Sequence, residues 1–262
     1  MKNSNVILVI ILICSVITLF LGSKKLYHYY SWADEKTMVY PNVRIQPNDT
    51  IRIIMIGDSW AAYHHKNDTI LAAMLQKELH KPVSVISSGM VGAKTKTIYE
   101  LMFDTISPNG TQKLIASHPD YCIIFAGIND AVAKIGFRYY LHHYSLILKQ
   151  LTSNRIKPII IDMPNVDYYT TYKHEPVFMR IRHRLTGAII KTNMWNFDEY
   201  KNALENYLSD NQLSNQIIYV RNTWNKDGYN DERQLYLTDN IHLNPKGYWL
   251  LDSIIAEEIS MH

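Results

Sequence analysis

The chain is 262 residues long, 47% of them hydrophobic, with a formal net charge of +3. That length supports one sizeable core and little more. A charge so small, with Lys and Arg scattered rather than striped along one face, argues against a nucleic-acid partner, and the two cysteines, Cys14 and Cys122, make neither a disulfide framework nor a zinc spacing.

Val6 to Gly22 reads VILVIILICSVITLFLG, with Lys2 before it and Lys24 and Lys25 after it. A spanning helix needs about 20 apolar residues, roughly 17–25, so residues 1–25 are expected to anchor the chain in a membrane through residues 6–22. The alternative is secretion after signal cleavage, but no Ala-x-Ala pattern follows Gly22-Ser23. Ile13 before Cys14 is too large for a lipoprotein site. Both flanks are basic, so the charge bias does not orient the segment. A lone N-terminal anchor commonly exports the domain attached to it, which places the remainder outside the cytoplasm, in a bacterial envelope. Residues 26–49, rich in Tyr, Asn and Pro, read as a stalk, and residues 50–262 as the folded domain.

Ile51 to Ile56 is a short apolar run ending in Gly57, as a buried parallel strand should be. Asp68 to Leu79 carries Ile70, Leu71, Met74, Leu75 and Leu79 at helical spacing, with Asn67 or Asp68 positioned to cap it. Val83–Ile86, Tyr121–Ala126, Pro158–Ile161 and Gln216–Val220 read as further strands, and Tyr139–Leu151 as a helix. Asn244-Pro245 caps and opens a closing helix to about Glu258. Alternating strands and helices predict an α/β fold, a sheet of about five parallel strands covered on both faces. Ligands of such sheets bind beyond the carboxyl ends of the strands.

Four blocks fall at that rim: Gly57-Asp58-Ser59-Trp60, Gly89 to Gly92, Gly127-Ile128-Asn129-Asp130, and Asp239-Asn240-Ile241-His242. Ser59, in a strand-to-helix turn, can expose its hydroxyl and aim its own amide at a substrate oxygen. A serine hydroxyl needs a base to become a nucleophile. His242 is the candidate base, and Asp239, three residues earlier, can orient its ring. Asn129 can offer its side-chain amide to an oxyanion, and Gly92 a backbone amide unshielded by a Cβ. Each block also has a plainer reading, Asp58-Ser59 as an Asx turn or cap and Asp239 as a cap beside a surface histidine. Their order along one rim favours the chemical reading.

These blocks resemble those of the SGNH (GDSL-type) hydrolases over Ile51 to about Ile259. The resemblance implies a flavodoxin-like three-layer α/β/α sandwich and ester or thioester hydrolysis through an acyl-enzyme, without metal or cofactor. It implies Ser59 as nucleophile, His242 as base, Asp239 as its partner, and Ser59, Gly92 and Asn129 as oxyanion donors. Two departures stand out. Trp60 occupies a position usually aliphatic, and Ser87-Ser88 a position where an Asn-Ala-type pair often precedes the glycine.

Residues 162–215 form a long insertion with helical character over 177–190 and 196–208. Its Tyr168, Tyr169 and Arg182, together with Trp60, are candidate substrate contacts, since aromatic rims suit sugar rings and arginines suit anionic groups. The leading expectation is a carbohydrate esterase that removes acyl groups, foremost acetyl, from an envelope or extracellular polysaccharide. The same residues could serve an O-acyltransferase, a lysophospholipase or thioesterase with a lipid substrate, or a catalytically idle polysaccharide-binding protein.

Overall fold

The computed structural model describes residues 2–41, 49–133, 135–163, 176–178, 180–181, 197–213, 215–221, 232–239 and 241–262. It divides into two compact units, Met1–Ala33 and Asp34–His262. The first holds one long helix, α1 (Lys2–Tyr30), whose exposed apolar side chains run from Ile7 to Leu21. Among the described residues, no helix is long and apolar enough to cross a membrane. The membrane anchor expected over residues 6–22 is therefore not supported, although Lys2–Tyr30 is helical.

The second unit is built on five strands: β1 (Ile51–Gly57), β2 (Val83–Gly89), β3 (Tyr121–Phe125), β4 (Lys157–Ile161) and β5 (Ile218–Val220). All are parallel, in the order β2-β1-β3-β4-β5. Ile53–Ile56 and Cys122–Phe125 are buried throughout, because a parallel sheet covered on both faces leaves neither face to water. The helices are α2 (Ser59–His64), α3 (Asp68–Leu79), α4 (Thr95–Leu101), α5 (Gln112–Ala116), α6 (Ile128–Val132), α7 (Phe137–Ser153), α8 (Phe197–Asp210) and α9 (Pro245–Ser260). α3 packs with α9, and α4 and α8 pack with α7, completing a three-layer sandwich of the flavodoxin type. α7 turns Tyr140, Tyr144, Ile147, Leu148 and Leu151 inward at helical spacing, and all five are buried.

The short helices α4, α5 and α6 fill stretches for which no element was predicted. Two local expectations change. Asn67 makes no side-chain cap to α3, and Asp68 is drawn into a buried network instead of capping the helix. Residues 34–41 are not a free stalk but an extended strap on the compact unit. Met38 N donates to Gln150 Oε1 at 2.9 Å, Tyr40 N to Asn154 Oδ1 at 2.9 Å, and Gln150 Nε2 and Asn154 Nδ2 both return bonds to Met38 O at 2.8 Å. An extended chain leaves its peptide groups unpaired, and these two buried α7 amides satisfy them.

Register sets the site. Gly57 at the end of β1 pairs with Gly89 of β2 and Phe125 of β3, so three strands finish at one edge, each followed by one of the four blocks.

Candidate active site

Ser59 opens α2 directly after β1. Asp58 caps that helix through its side chain, accepting from Trp60 N at 2.9 Å, so the capping role and a serine in the strand-to-helix turn coexist. Ser59 is 5% exposed, and its Oγ lies 2.9 Å from His242 Nε2.

On the far side of the ring, His242 Nδ1 lies 2.6 Å from Asp239 Oδ2. Asp239 Oδ1 accepts from Ile241 N and His242 N, each at 2.9 Å, closing a local Asx-type turn. Burial pushes the Asp239 carboxyl up, but the bonds from the His242 ring and the two backbone amides outweigh it and hold the carboxyl below its ordinary value. An ionised Asp239 accepts Nδ1–H and leaves Nε2 as the acceptor facing the Ser59 hydroxyl. The loop is pinned at both ends. Leu237 N donates to His242 O at 2.7 Å, Tyr236 bridges Leu243, and Asn244 Oδ1 caps α9 by accepting from Gly247 N at 3.0 Å with Pro245 in the first turn.

Asn129 falls in the first turn of α6, not in a loop, and its Nδ2 donates to Asp58 Oδ2 at 3.3 Å. Burial lifts the Asp58 carboxyl to about 7, against the bond from Trp60 N. Gly92 lies in the turn after β2, where Met90 N donates to Gly57 O at 3.0 Å and Ala93 N to Met90 O at 2.9 Å. Its φ of +76° is the reason a glycine stands there, since a Cβ would meet nothing within 4 Å. At Gly89 the reason is space: a Cβ would lie 2.5 Å from Asp58 O and Ala62 N, where β2 meets α2.

Trp60 does not line a substrate surface as expected. It is 1% exposed, donating from its indole nitrogen to Ile241 O at 3.1 Å while its own carbonyl accepts from Tyr248 Oη at 3.0 Å. A large amphipathic ring that finds an internal acceptor stays inside, and this one joins the Ser59 helix to the His242 loop. The other expected contacts, Tyr168, Tyr169 and Arg182, lie outside the described residues.

Three site-bearing contacts escape the sequence reading. Asp130, fully buried, accepts from Thr95 N at 3.0 Å and Thr95 Oγ1 at 2.7 Å, tying the segment after Gly92 to the helix that holds Asn129. Burial raises the Asp130 carboxyl to about 6 against those two bonds. Tyr63 is 45% exposed and sets its ring edge-on to His242, centroids 5.0 Å apart. His64 is sealed between two carboxylates. The only hint in sequence is that Asp130 follows Asn129 directly and Tyr63 and His64 close the helix begun by Ser59.

A cavity of about 10 Å³ opens among Asp58, Trp60, Phe125, Ile128, Ile161 and Met163, beside the nucleophile turn. A larger one, about 510 Å³, lies at the amino ends of β3 and β4, lined in part by Tyr40, His118, Arg155 and Lys157, away from Ser59. Among the described residues no group of three or more His, Cys, Asp or Glu stands where it could hold a metal ion.

A family model for the GDSL-like lipase/acylhydrolases matches residues 55–250. Comparison with curated proteins finds no match. Among solved structures, a lipase/acylhydrolase from Enterococcus faecalis is similar at 19% identity and a TM-score of 0.57, covering 80% of this chain and 96% of the other. An acetylxylan esterase from Geobacillus stearothermophilus gives 15% identity and a TM-score of 0.55, covering 83% and 96%. Another acetyl xylan esterase gives 16% and 0.53, covering 80% and 98%. At these identities the likeness is one of fold.

Proposed function

Because the chain belongs to the GDSL-like lipase/acylhydrolase family and is an ester-bond hydrolase, we propose that it is a serine esterase working through Ser59, His242 and Asp239, with an acylated carbohydrate as substrate. The observation that carries the catalytic assignment is the continuous chain Asp239–His242–Ser59, with contacts of 2.6 and 2.9 Å. Ser59 Oγ attacks the ester carbonyl while His242 Nε2 takes its proton, and Asp239 stabilises the imidazolium. The Ser59 amide, the Gly92 amide and Asn129 Nδ2 receive the oxyanion. His242 then protonates the departing alcohol, and a water activated by His242 releases the acid from the acyl-enzyme.

One feature supports an acetylated sugar over a long-chain lipid. Tyr63 stands against the imidazole that must face the leaving oxygen, so an exposed aromatic flanks the leaving-group side, where a sugar ring would stack. The acetylxylan esterases among the similar structures agree with this choice. We also propose that the enzyme acts outside the cytoplasm, and protease digestion of intact cells tests this by cleaving or sparing it.

The functional test uses a chain starting at Asp34 with p-nitrophenyl acetate, butyrate and octanoate, then acetylated xylo-oligosaccharides. Turnover falling with acyl length, and abolished by Ser59→Ala and by His242→Ala, is expected. Asn129→Ala should cost about a hundredfold in kcat, one oxyanion donor being worth about 3 kcal/mol; a loss under about threefold would remove Asn129 from the site. Octanoate preferred over acetate would replace the carbohydrate reading with the lipid one. Wild-type protein inert on every ester but active with a sugar acceptor would make the enzyme a transferase.

A further inference from the structure

The end of α2 opposite Ser59 carries a charged group that the proposed mechanism does not use. His64 is 0% exposed, and both ring nitrogens face carboxylates: Nδ1 lies 3.0 Å from Asp68 Oδ1 and Nε2 2.6 Å from Asp252 Oδ1. A neutral imidazole has one N–H and can serve only one of two ionised acceptors, whereas an imidazolium serves both. The Tyr248 ring stands edge-on at 5.6 Å, and exposed His65 places Nδ1 3.2 Å from Asp68 Oδ2. Asp252 Oδ2 is buried without a hydrogen-bond partner.

The three members lie on three elements that carry the site. His64 closes the helix that Ser59 opens. Asp252 belongs to α9, which starts at Pro245, three residues after His242. Asp68 opens α3, and its Oδ2 accepts from Ser87 N at 2.9 Å, on β2 just before Gly89 and the Gly92 turn. Ion pairs in a dry interior tolerate little displacement, because nothing else there can solvate the charges.

We propose that His64 is a positioning residue: its imidazolium, clamped between Asp68 and Asp252, holds the Ser59 helix in register with the His242 loop and the Gly92 turn. The inference rests on the esterase reading for what that register serves, while the clamp itself rests on geometry alone. Burial pulls the His64 pKa down, but the bonds to Asp252 and Asp68 outweigh it and raise it to about 9. The carboxylates move in opposite directions. Burial pushes both up, and only Asp68, with the further donor Ser87 N, ends below its ordinary value, while sealed Asp252 stays above. The clamp is therefore intact at neutral pH and opens when His64 loses its proton near pH 9.

Two arms test it. In Ser59→Ala protein labelled with 15N at histidine, NMR should show two N–H groups on the His64 ring at neutral pH, titrating at about 9. A single N–H with neutral-imidazole shifts would overturn the clamp, esterase or not. In the kinetic arm, His64→Gln and Asp252→Asn are assayed on p-nitrophenyl acetate after circular dichroism shows them folded. A kcat lower by about tenfold to a hundredfold, with KM within about twofold, is expected, the cost of a small misplacement of reacting groups. The alkaline fall in wild-type kcat around pH 9 should vanish in His64→Gln. Folded variants with wild-type kcat would overturn the positioning role. If neither variant folds, wild type decides: kcat undiminished through pH 9, in protein that stays folded, overturns it. Wild type inert on esters but showing the charged ring would be a failure of the esterase reading and not of the clamp.

Discussion

Trp60 shows how one side chain can join two halves of a site. Its indole N–H reaches Ile241 O, and its carbonyl takes the Tyr248 hydroxyl, so both the loop before His242 and the helix after it lean on the residue next to Ser59. Trp60→Leu, which restores the aliphatic side chain usual in the family, removes that donor and leaves a void beside Phe125 and Tyr236. We expect a loss of about 2–4 kcal/mol in stability and a fall in kcat larger than any rise in KM, read from urea unfolding and p-nitrophenyl acetate kinetics. Thr95 is a second such residue. Thr95→Val deprives buried Asp130 of its Oγ1–H donor and should cost about 1–3 kcal/mol. The short distance from Asp130 to Asn129 in sequence predicts a drop in kcat with it. Unchanged kinetics in the folded variant would separate Thr95 from the oxyanion residues.

At the scale of elements, the strap of residues 34–41 is the piece least expected from composition. The stretch 26–49 that contains it, rich in Tyr, Asn and Pro, has no periodicity, and such a stretch reads as a tether. The strap's Met38 and Tyr40 peptides are nonetheless paired to Gln150 on α7 and to its C-cap residue Asn154, and Lys36 N to Tyr99 Oη on α4. Gln150→Ala leaves Met38 N without its acceptor, while Met38 O keeps Asn154 Nδ2, and should cost about 1–3 kcal/mol. A chain beginning at Asp34 should melt where the longer one does, and a chain beginning at Asp49 several degrees lower, since each kcal/mol moves Tm by about 2–4 °C at this size. Equal melting of both chains would return the segment to the status of a tether.

Across the molecule, three buried groups push in one direction and a fourth opposes them. Asp58, at about 7, and Asp130, at about 6, sit above the carboxylate value of 3.8, and His64, at about 9, sits above the imidazole value of 6.5, while burial lowers His143 to about 4. The first three hold their protons more tightly folded than unfolded from roughly pH 4 to pH 9, His143 offsets one of them below about pH 6.5, and the net is a stability that falls as pH rises from about 5 to 9. Asp68 and Asp239, held below their ordinary value, act only at the acid end, where their contribution is lost as pH falls. Urea midpoints should therefore be higher near pH 5 than near pH 9. A flat or rising profile would show that these groups are solvated in the folded state.

Local patterns along the chain were enough for much of the architecture. An apolar run ending in glycine marked β1, short apolar runs marked the strands after it, and the Asn244-Pro245 cap marked the start of α9, because strand burial and helix capping act within a few residues. The four blocks were legible for the same reason: each is a short turn, and their order along a parallel sheet puts them at one edge. Which distant groups meet was settled only by the packing of the layers. Asp68 has the spacing of a helix cap, yet a buried imidazole claims it. Asp252 lies 188 residues from His64, Trp60 lies 181 from Ile241, and Gln150 lies 112 from Met38. Nothing in a local pattern separates a surface Trp, Gln or His from one whose polar atoms will be satisfied inside. That distinction depends on which donors and acceptors the packed layers bring within about 3 Å, since a buried polar group is stable only where it finds a partner.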